Sequence, residues 1–347
     1  MSSSPIYLDH HATTAVDPRV LDAMIPYFTE RFGNASSPVH AQGREARNAV
    51  EAARARVADL IDAAPDELVF TCGATESDNL ALLGTAIALE SKGKHLVSVC
   101  TEHRAVLEPL EALEQRGWQL TLLPVEPDGR VAPQRVAEAL TDETTLVSVM
   151  LANNEIGVVQ DLAAIGALAA ERGVVLHCDA AQGVGYLPFS VSELPVDLVS
   201  LSAHKMYGPK GVGALYVRRS RQRQGVPAPL FYGGGHQQGL RPGTLDVAGI
   251  VGFGAAAALM KAEGGEEAAR LRVLRDRFAG RLLDGLDEVR VNGSMAARHP
   301  GNLNLSFGYV DGAALLLRVC ETAAVSSGAA CSSAEPVSYT HLRAHET

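Results

Sequence analysis

Lys205 follows an apolar run, Leu198–Ala203, in the segment Ser202-Ala203-His204-Lys205. At the mouth of a pocket a lysine has a lowered pKa and forms Schiff bases with carbonyls; on an open surface it is only solvated. Asp179 closes a second run and leads into Ala180-Ala181-Gln182. A carboxylate there either holds a heteroaromatic nitrogen protonated or caps the next helix. His103 ends Thr101-Glu102-His103 after a third run, where a lone histidine is more often structural, and Asn153-Asn154-Glu155 follows a fourth. Thr71-Cys72-Gly73-Ala74-Thr75-Glu76-Ser77 is a small-residue turn opening a helix. Its exposed N–H groups and positive dipole end attract an anion, the dipole alone contributing about 0.3–2 kcal/mol.

Each signal is ambiguous alone, but ligands of open α/β sheets bind at the carboxyl ends of the strands, where all of these residues fall. Pyridoxal 5′-phosphate needs such a set: a lysine, an acid for the pyridine nitrogen and an anion cradle for the phosphate. A nicotinamide site is disfavoured, because no G-x-G-x-x-G opens the first helix and Gly233-Gly234-Gly235 does not follow an N-terminal strand. His10-His11 suggests a metal, yet adjacent residues of an extended segment point oppositely.

The positioning elements are short Val/Leu-rich runs at Leu68–Thr71, His95–Cys100, Leu120–Val125, Thr145–Leu151, Val174–Asp179, Leu198–Ala203 and Gly213–Val217. They are continuous rather than alternating, as strands covered on both faces are. Helical stretches at Arg44–Ile61, Glu76–Glu90, Ala105–Arg116 and Leu162–Arg172 separate them. This predicts an α/β fold with a mostly parallel seven-stranded sheet. No helix separates the last two runs, so the seventh strand is expected to be antiparallel. Beyond Arg218 a Pro/Gly-rich passage leads to two helical stretches, Asp246–Ala262 and Glu266–Leu286, then Val289–Asn292, Asn302–Phe307, Asp311–Val319 and Ala323–Ser326. A smaller α+β domain is expected there. The predicted division is an N-terminal segment (1–16) packing with the small domain, a large domain (17–245), a small domain (246–336) and a tail (337–347).

The 347 residues suffice for roughly two domains of about 150 residues each. At 47% hydrophobic and 20% charged the composition is globular rather than disordered. A net charge of −10 argues against direct nucleic-acid binding or a charge-driven membrane role. The longest apolar runs are too short to span a bilayer, and the first residues lack the pattern of an export signal. A soluble cytoplasmic enzyme is expected. Five cysteines without a Cys-x-x-Cys pair give no disulfide framework. Cys100 and Cys178 lie in apolar runs and read as buried thiols. Cys331, in Ser326-Ser327-Gly328-Ala329-Ala330-Cys331-Ser332-Ser333, has nothing around it to bury.

In these motifs the chain resembles the cysteine desulfurases of the class V aminotransferase group, of fold type I. The likeness runs from Tyr7 to about Pro336. It includes Tyr7-Leu8-Asp9, Phe70-Thr71-Cys72-Gly73-Ala74-Thr75-Glu76-Ser77-Asp78-Asn79, Thr101-Glu102-His103 and Asn153-Asn154-Glu155-Ile156-Gly157. Asp179-Ala180-Ala181-Gln182, Ser202-Ala203-His204-Lys205-Met206-Tyr207-Gly208-Pro209-Lys210-Gly211, Arg241-Pro242-Gly243-Thr244 and the Cys331 loop continue it. The resemblance implies that Lys205 carries pyridoxal 5′-phosphate, Asp179 meets its ring nitrogen, and His103 stacks on the ring and transfers protons. It implies that Gln182 meets the phenolic oxygen and Asn154 lies near cofactor and substrate. Ala74, Thr75, Ser202 and His204 are expected to hold the phosphate, with Thr244 reaching in from a second subunit of a homodimer.

The implied reaction takes sulfur from L-cysteine, leaving L-alanine and a persulfide on Cys331. Sulfur then passes to acceptor proteins such as an iron–sulfur scaffold or a tRNA-thiolation relay, and Cys331 meets a metal only transiently, through a nascent cluster. Only a thiolate is an effective nucleophile, and the Ser/Gly/Ala flanks suit a loop that carries sulfur outward. Selenocysteine lyase, another class V enzyme, and an impaired sulfur-relay or scaffold subunit are the alternatives. Family chains continue past the cysteine loop through an arginine that grips the substrate carboxylate. Residues 337–347 instead read as a foreign tail, so the small domain is expected to be incomplete.

Overall fold

The structure is a computed structural model and describes residues 5–327. Strand β1 (Ile6–Tyr7) is followed by helices α1 (Pro18–Met24), α2 (Pro26–Thr29) and α3 (Ala41–Leu60), then β2 (Leu68–Thr71) and α4 (Ala74–Leu89). The chain continues through β3 (His95–Val99), α5 (Arg104–Glu114), β4 (Gln119–Leu123) and α6 (Pro133–Ala139). Next come β5 (Thr144–Ser148), α7 (Leu162–Glu171), β6 (Val175–Asp179), β7 (Leu198–Ser202), β8 (Gly213–Val217) and the short α8 (Arg219–Gln222). Helix α9 (Val247–Gly285), β9 (Val289–Val291), β10 (Leu305–Phe307), α10 (Gly312–Val319) and β11 (Ala323–Ala324) complete the described chain.

Seven strands form one sheet in the order β2-β8-β7-β6-β5-β3-β4. Only β8 runs against its neighbours, pairing antiparallel with β7 (Leu198 opposite Val217) and with β2 (Leu68 opposite Tyr216). The Pro209 turn returns the chain too quickly for a crossover helix, which a parallel seventh strand would need. The sheet is therefore α/β and mostly parallel, as expected. Alternate residues serve opposite faces. Leu68 and Phe70 of β2 enter the core packed by α3 and α9, whereas Val69 enters the core packed by α4 and α5. Covering both faces explains why the strands read as unbroken apolar runs.

The C-terminal part differs from expectation in its helices. One 39-residue helix, α9, replaces the two expected around Gly264-Gly265. Gly264 is a contact rather than a break, because a Cβ there would lie 2.1 Å from the Gly185 carbonyl oxygen. By length and composition α9 could cross a membrane, although the run lengths had not suggested it. Of its most apolar window 67% is buried within the fold, as in a core helix. Helices α1 and α6 were not anticipated, although each begins with proline at its first position, after Asp17 and Ala132 respectively. Cys178 is buried as expected, but Cys100 is only half-buried. Two small sheets lie apart from the large one: β9 with β10, antiparallel, and β1 with β11, parallel through Ile6–Ala323 and Tyr7–Ala324.

Candidate active site

With only β8 reversed, the carboxyl ends of β2, β3, β5, β6 and β7 share one edge of the sheet. A cavity of about 470 Å³ opens there. It is lined by Ala74 and Thr75 from α4, His103 after β3, Asn154 after β5, Asp179 and Gln182 at and after β6, and Ser202, His204 and Lys205 at and after β7. Nine of the anticipated residues thus converge. Thr244 is exposed and does not line the cavity of its own chain. Cys331 lies outside the described residues, but Ser326 borders the cavity, its hydroxyl donating to Asp9 Oδ1 at 3.1 Å.

Lys205 ends a single tight turn, Ala203–Lys205, that leaves β7. Its Nζ donates to the His11 carbonyl and, at 3.0 Å, to that of Ala12. Gln182 Nε2 donates to the same His11 carbonyl at 2.8 Å. Thr14 locks this segment down: its N–H and hydroxyl both donate to the His204 carbonyl at 3.0 Å, and its oxygen accepts the Tyr207 N–H at 2.8 Å. His204 Nδ1 lies 3.0 Å from the Thr13 hydroxyl. Burial, then Lys205 and Lys210, push the His204 pKa down to about 4, so its ring is neutral at neutral pH.

His103 caps α5, with Nδ1 accepting the Ala105 N–H at 3.1 Å. Burial lowers its pKa and Lys205 adds to this, while Asp179 opposes both. Asp179 closes β6 with Oδ1 accepting the Ala181 N–H at 2.9 Å. Burial, then the Asp78 carboxyl, raise its pKa to about 6, and the hydrogen bond and the two neighbouring histidines restrain the rise.

Helix α4 presents its N-terminus to the cavity, where first-turn N–H groups lack helical partners. Its cap, Gly73, has φ 152°, a conformation that favours glycine. Strand β8 presses against that turn: a Cβ on Gly213 would come within 2.7 Å of Gly73 Cα. Glu76, also in the cavity lining, would repel an anion here, but its carboxylate is compensated, accepting from Cys72 N–H at 2.6 Å and from Arg241 Nε at 2.9 Å. Burial raises the Glu76 pKa, yet these two partners outweigh it and hold the group below its ordinary value. Arg241 is thereby committed to Glu76.

Sequence reasoning passed over Asp78, Lys210 and His11 as cavity residues. Asp78 and Lys210 stood in recognised motifs without a role. His11 had been weighed only as half of a metal pair in an extended segment, but residues 10–12 form a turn. The His10 ring meets Tyr7 at 5.0 Å and the His11 ring meets His299 at 4.7 Å. Among the described residues no three His, Cys, Asp or Glu side chains form a metal-ligand set.

The residues present fit pyridoxal phosphate: an amine, the buried Asp179 carboxyl and a helix N-terminus surround one cavity. Fold and site together define a fold-type I enzyme dependent on pyridoxal 5′-phosphate. Comparison with known proteins agrees. The aminotransferase class-V profile matches residues 6–347, and the chain belongs to that family. It is 57% identical over 330 residues to the cysteine desulfurase IscS of Anaeromyxobacter sp. (strain Fw109-5), covering 95% of this chain and 81% of the relative. Among solved structures, "SspA in complex with cysteine" superposes with a TM-score of 0.83 at 35% identity, over 95% of this chain and 91% of that one. DndA from Streptomyces lividans gives 0.79 at 43% identity, over 88% and 86%.

Proposed function

We propose that the protein is a cysteine desulfurase. It takes L-cysteine, releases L-alanine and places the sulfur on Cys331, from which acceptor proteins remove it. The observation that carries this reading is the convergence of Lys205, Asp179, His103 and the α4 N-terminus on one cavity, with Ser326 at its rim. Cys331 stands five residues beyond Ser326 in sequence, a reach of at most about 18 Å of extended chain. The relatives support the choice of substrate: IscS is named a cysteine desulfurase, and SspA was solved with cysteine.

When bound, pyridoxal phosphate withdraws electrons from the substrate α-carbon. The chain's own residues do the rest in this reading. Lys205 would hold the cofactor, and Asp179 would keep its ring nitrogen protonated. Ala74, Thr75, Ser202 and His204 would hold the phosphate, Gln182 would meet the phenolic oxygen, and Asn154 would orient ring and substrate. The substrate bond between Cβ and sulfur breaks with its electron pair left on carbon, where a proton from His103 completes alanine. The sulfur joins the Cys331 Sγ.

We read the chain as a cytoplasmic homodimer, with Thr244 serving the neighbouring cavity. Exposed Ile25, Phe28, Phe32 and Val39 support a covered face. Sedimentation of the purified chain as a monomer would contradict the dimer. The sulfur acceptors of this reading are an iron–sulfur scaffold and a tRNA-thiolation relay, told apart by which of the two takes labelled sulfur. The activity itself is tested by incubating the yellow protein with L-cysteine and measuring alanine and, with a thiol reductant, sulfide. Both should appear in equal amounts and vanish in Lys205→Ala, together with the borohydride-reducible chromophore. Alanine release by Lys205→Ala at an undiminished rate would overturn the reading.

A further inference from the structure

Three carboxyl groups gather beneath the cavity, and the functional reading uses only Asp179. Asp78, on α4, is 0% exposed and lines the cavity, and neither of its oxygens has a hydrogen-bond partner. Glu102, after β3, is also buried; Oε1 accepts the Met150 N–H at 2.6 Å, while Oε2 has no partner. An ionised carboxylate without donors in a dry site costs several kcal/mol, so such a group keeps its proton.

The neighbours of Asp78 supply no compensating charge. His177 of β6 places Nε2 3.5 Å from Asp78 Oδ1. That nitrogen is engaged with the Ser200 hydroxyl at 3.0 Å, and Nδ1 with the Ser148 hydroxyl at 2.8 Å. Burial drives His177 down to about 4, which leaves it neutral. Burial raises Asp78 itself to about 7; the nearby Ser200 hydroxyl opposes this only in part, being engaged with His177 Nε2 and outside hydrogen-bond geometry to Asp78. Burial and the Asp179 charge raise Glu102 well above the usual carboxylate range. Two lysines line the cavity, Lys205 and Lys210; Lys205 donates to the carbonyls of His11 and Ala12, and neither donates a hydrogen bond to Asp78 or to Glu102 Oε2. Asp179 differs in having a backbone donor and, in the functional reading, a protonated ring nitrogen.

We propose that Asp78 and Glu102 are positioning residues that remain neutral carboxylic acids and so confine the negative charge of the cavity floor to Asp179. This rests on the cofactor reading above. Like charges in a shared dry site do not both ionise, so the proton stays on the carboxyls with fewest donors. One anion then meets one ring cation, and the pairing of Asp179 with the ring is undivided.

The test is infrared difference spectroscopy of the holoenzyme at about pH 6, below the value of about 7 to which Asp78 is raised, in the region of protonated-carboxyl stretching, with the visible band of bound pyridoxal phosphate followed in parallel. Asp78→Asn and Glu102→Gln should each remove one protonated-acid band, and Asp179→Asn should remove none. In the visible, Asp78→Asn and Glu102→Gln should shift the proton affinity reported by the cofactor less than about threefold, and Asp179→Asn more than about tenfold. Two outcomes would overturn the proposal: an unaltered band pattern in Glu102→Gln or Asp78→Asn, or loss of an acid band in Asp179→Asn. Glu102→Gln decides the matter if Asp78→Asn does not fold. A missing Lys205-bound chromophore would instead overturn the cofactor reading, and it is seen in the visible rather than the infrared.

Discussion

His103 is held through one nitrogen: Nδ1 accepts the Ala105 N–H, so the neutral ring carries its proton on Nε2. A fixed tautomer beside Asp179 and Lys205 suits a group that moves protons. His103→Ala should slow alanine formation by about 10²–10⁴-fold, the range of a positioned acid–base group, with the chromophore retained. Loss of chromophore with little change in turnover per bound cofactor would assign the ring to stacking alone. Asp78 makes a prediction in stability. Its folded pKa is raised from an ordinary 3.8 to about 7, so across that window the folded protein binds more protons than the unfolded chain. Its contribution is therefore fully present below about pH 4 and is lost as pH rises toward 7. His11, His177 and His204, lowered to about 4, act with the opposite sign, but Asp78→Asn retains them and they cancel in the comparison. The melting temperature of apo Asp78→Asn, less that of the wild type, should climb between about pH 4 and 7 and then level. A flat difference would show that Asp78 ionises normally. His103, Asp179 and Lys205 were legible because each follows an apolar run that ends at a ligand-binding edge. Asp78 was not, because α4 is apolar nearly all round and no pattern marks which of its faces meets the cavity.

The elements were legible where periodicity and burial agree. Strands β2, β3 and β5 to β8 have every residue buried, and the sequence runs matched them within a few residues. Helix α9 failed the same reading because a Gly-Gly pair is locally a break, and only the approach of Gly185 explains its first member. The pair separates the two effects of glycine. Gly264→Ala should destabilise by about 1–3 kcal/mol through overpacking against the Gly185 carbonyl. Gly265→Ala meets nothing within 4 Å and should stabilise by up to about 1 kcal/mol through helix propensity. Denaturant unfolding of both variants checks the sign of each. Equal effects would mean that α9 does not pack as described. The short α1 had a local signature, Asp17 accepting the Arg19 N–H at 2.8 Å with Pro18 at the first helical position, but its seven residues carry too little periodicity to stand out.

Across the whole molecule, the chain closes on itself at the cavity. β1 pairs with β11, the following turn at residues 10–12 delivers the His11 and Ala12 carbonyls to Lys205, and Ser326 returns to Asp9. No local pattern predicts this, because it joins residues more than 300 positions apart in sequence. It brings the start of the cysteine loop to the rim of the site in which L-cysteine would be opened. The central claim is that sulfur leaves L-cysteine at Lys205 and arrives on Cys331. Mass spectrometry of peptides from the protein after one turnover with L-cysteine tests it directly. One added sulfur on the Cys331 peptide, matched by one alanine released and absent in Lys205→Ala, is the predicted result. Alanine without sulfur on Cys331, or sulfur on Cys72 of the cavity lining, would contradict it.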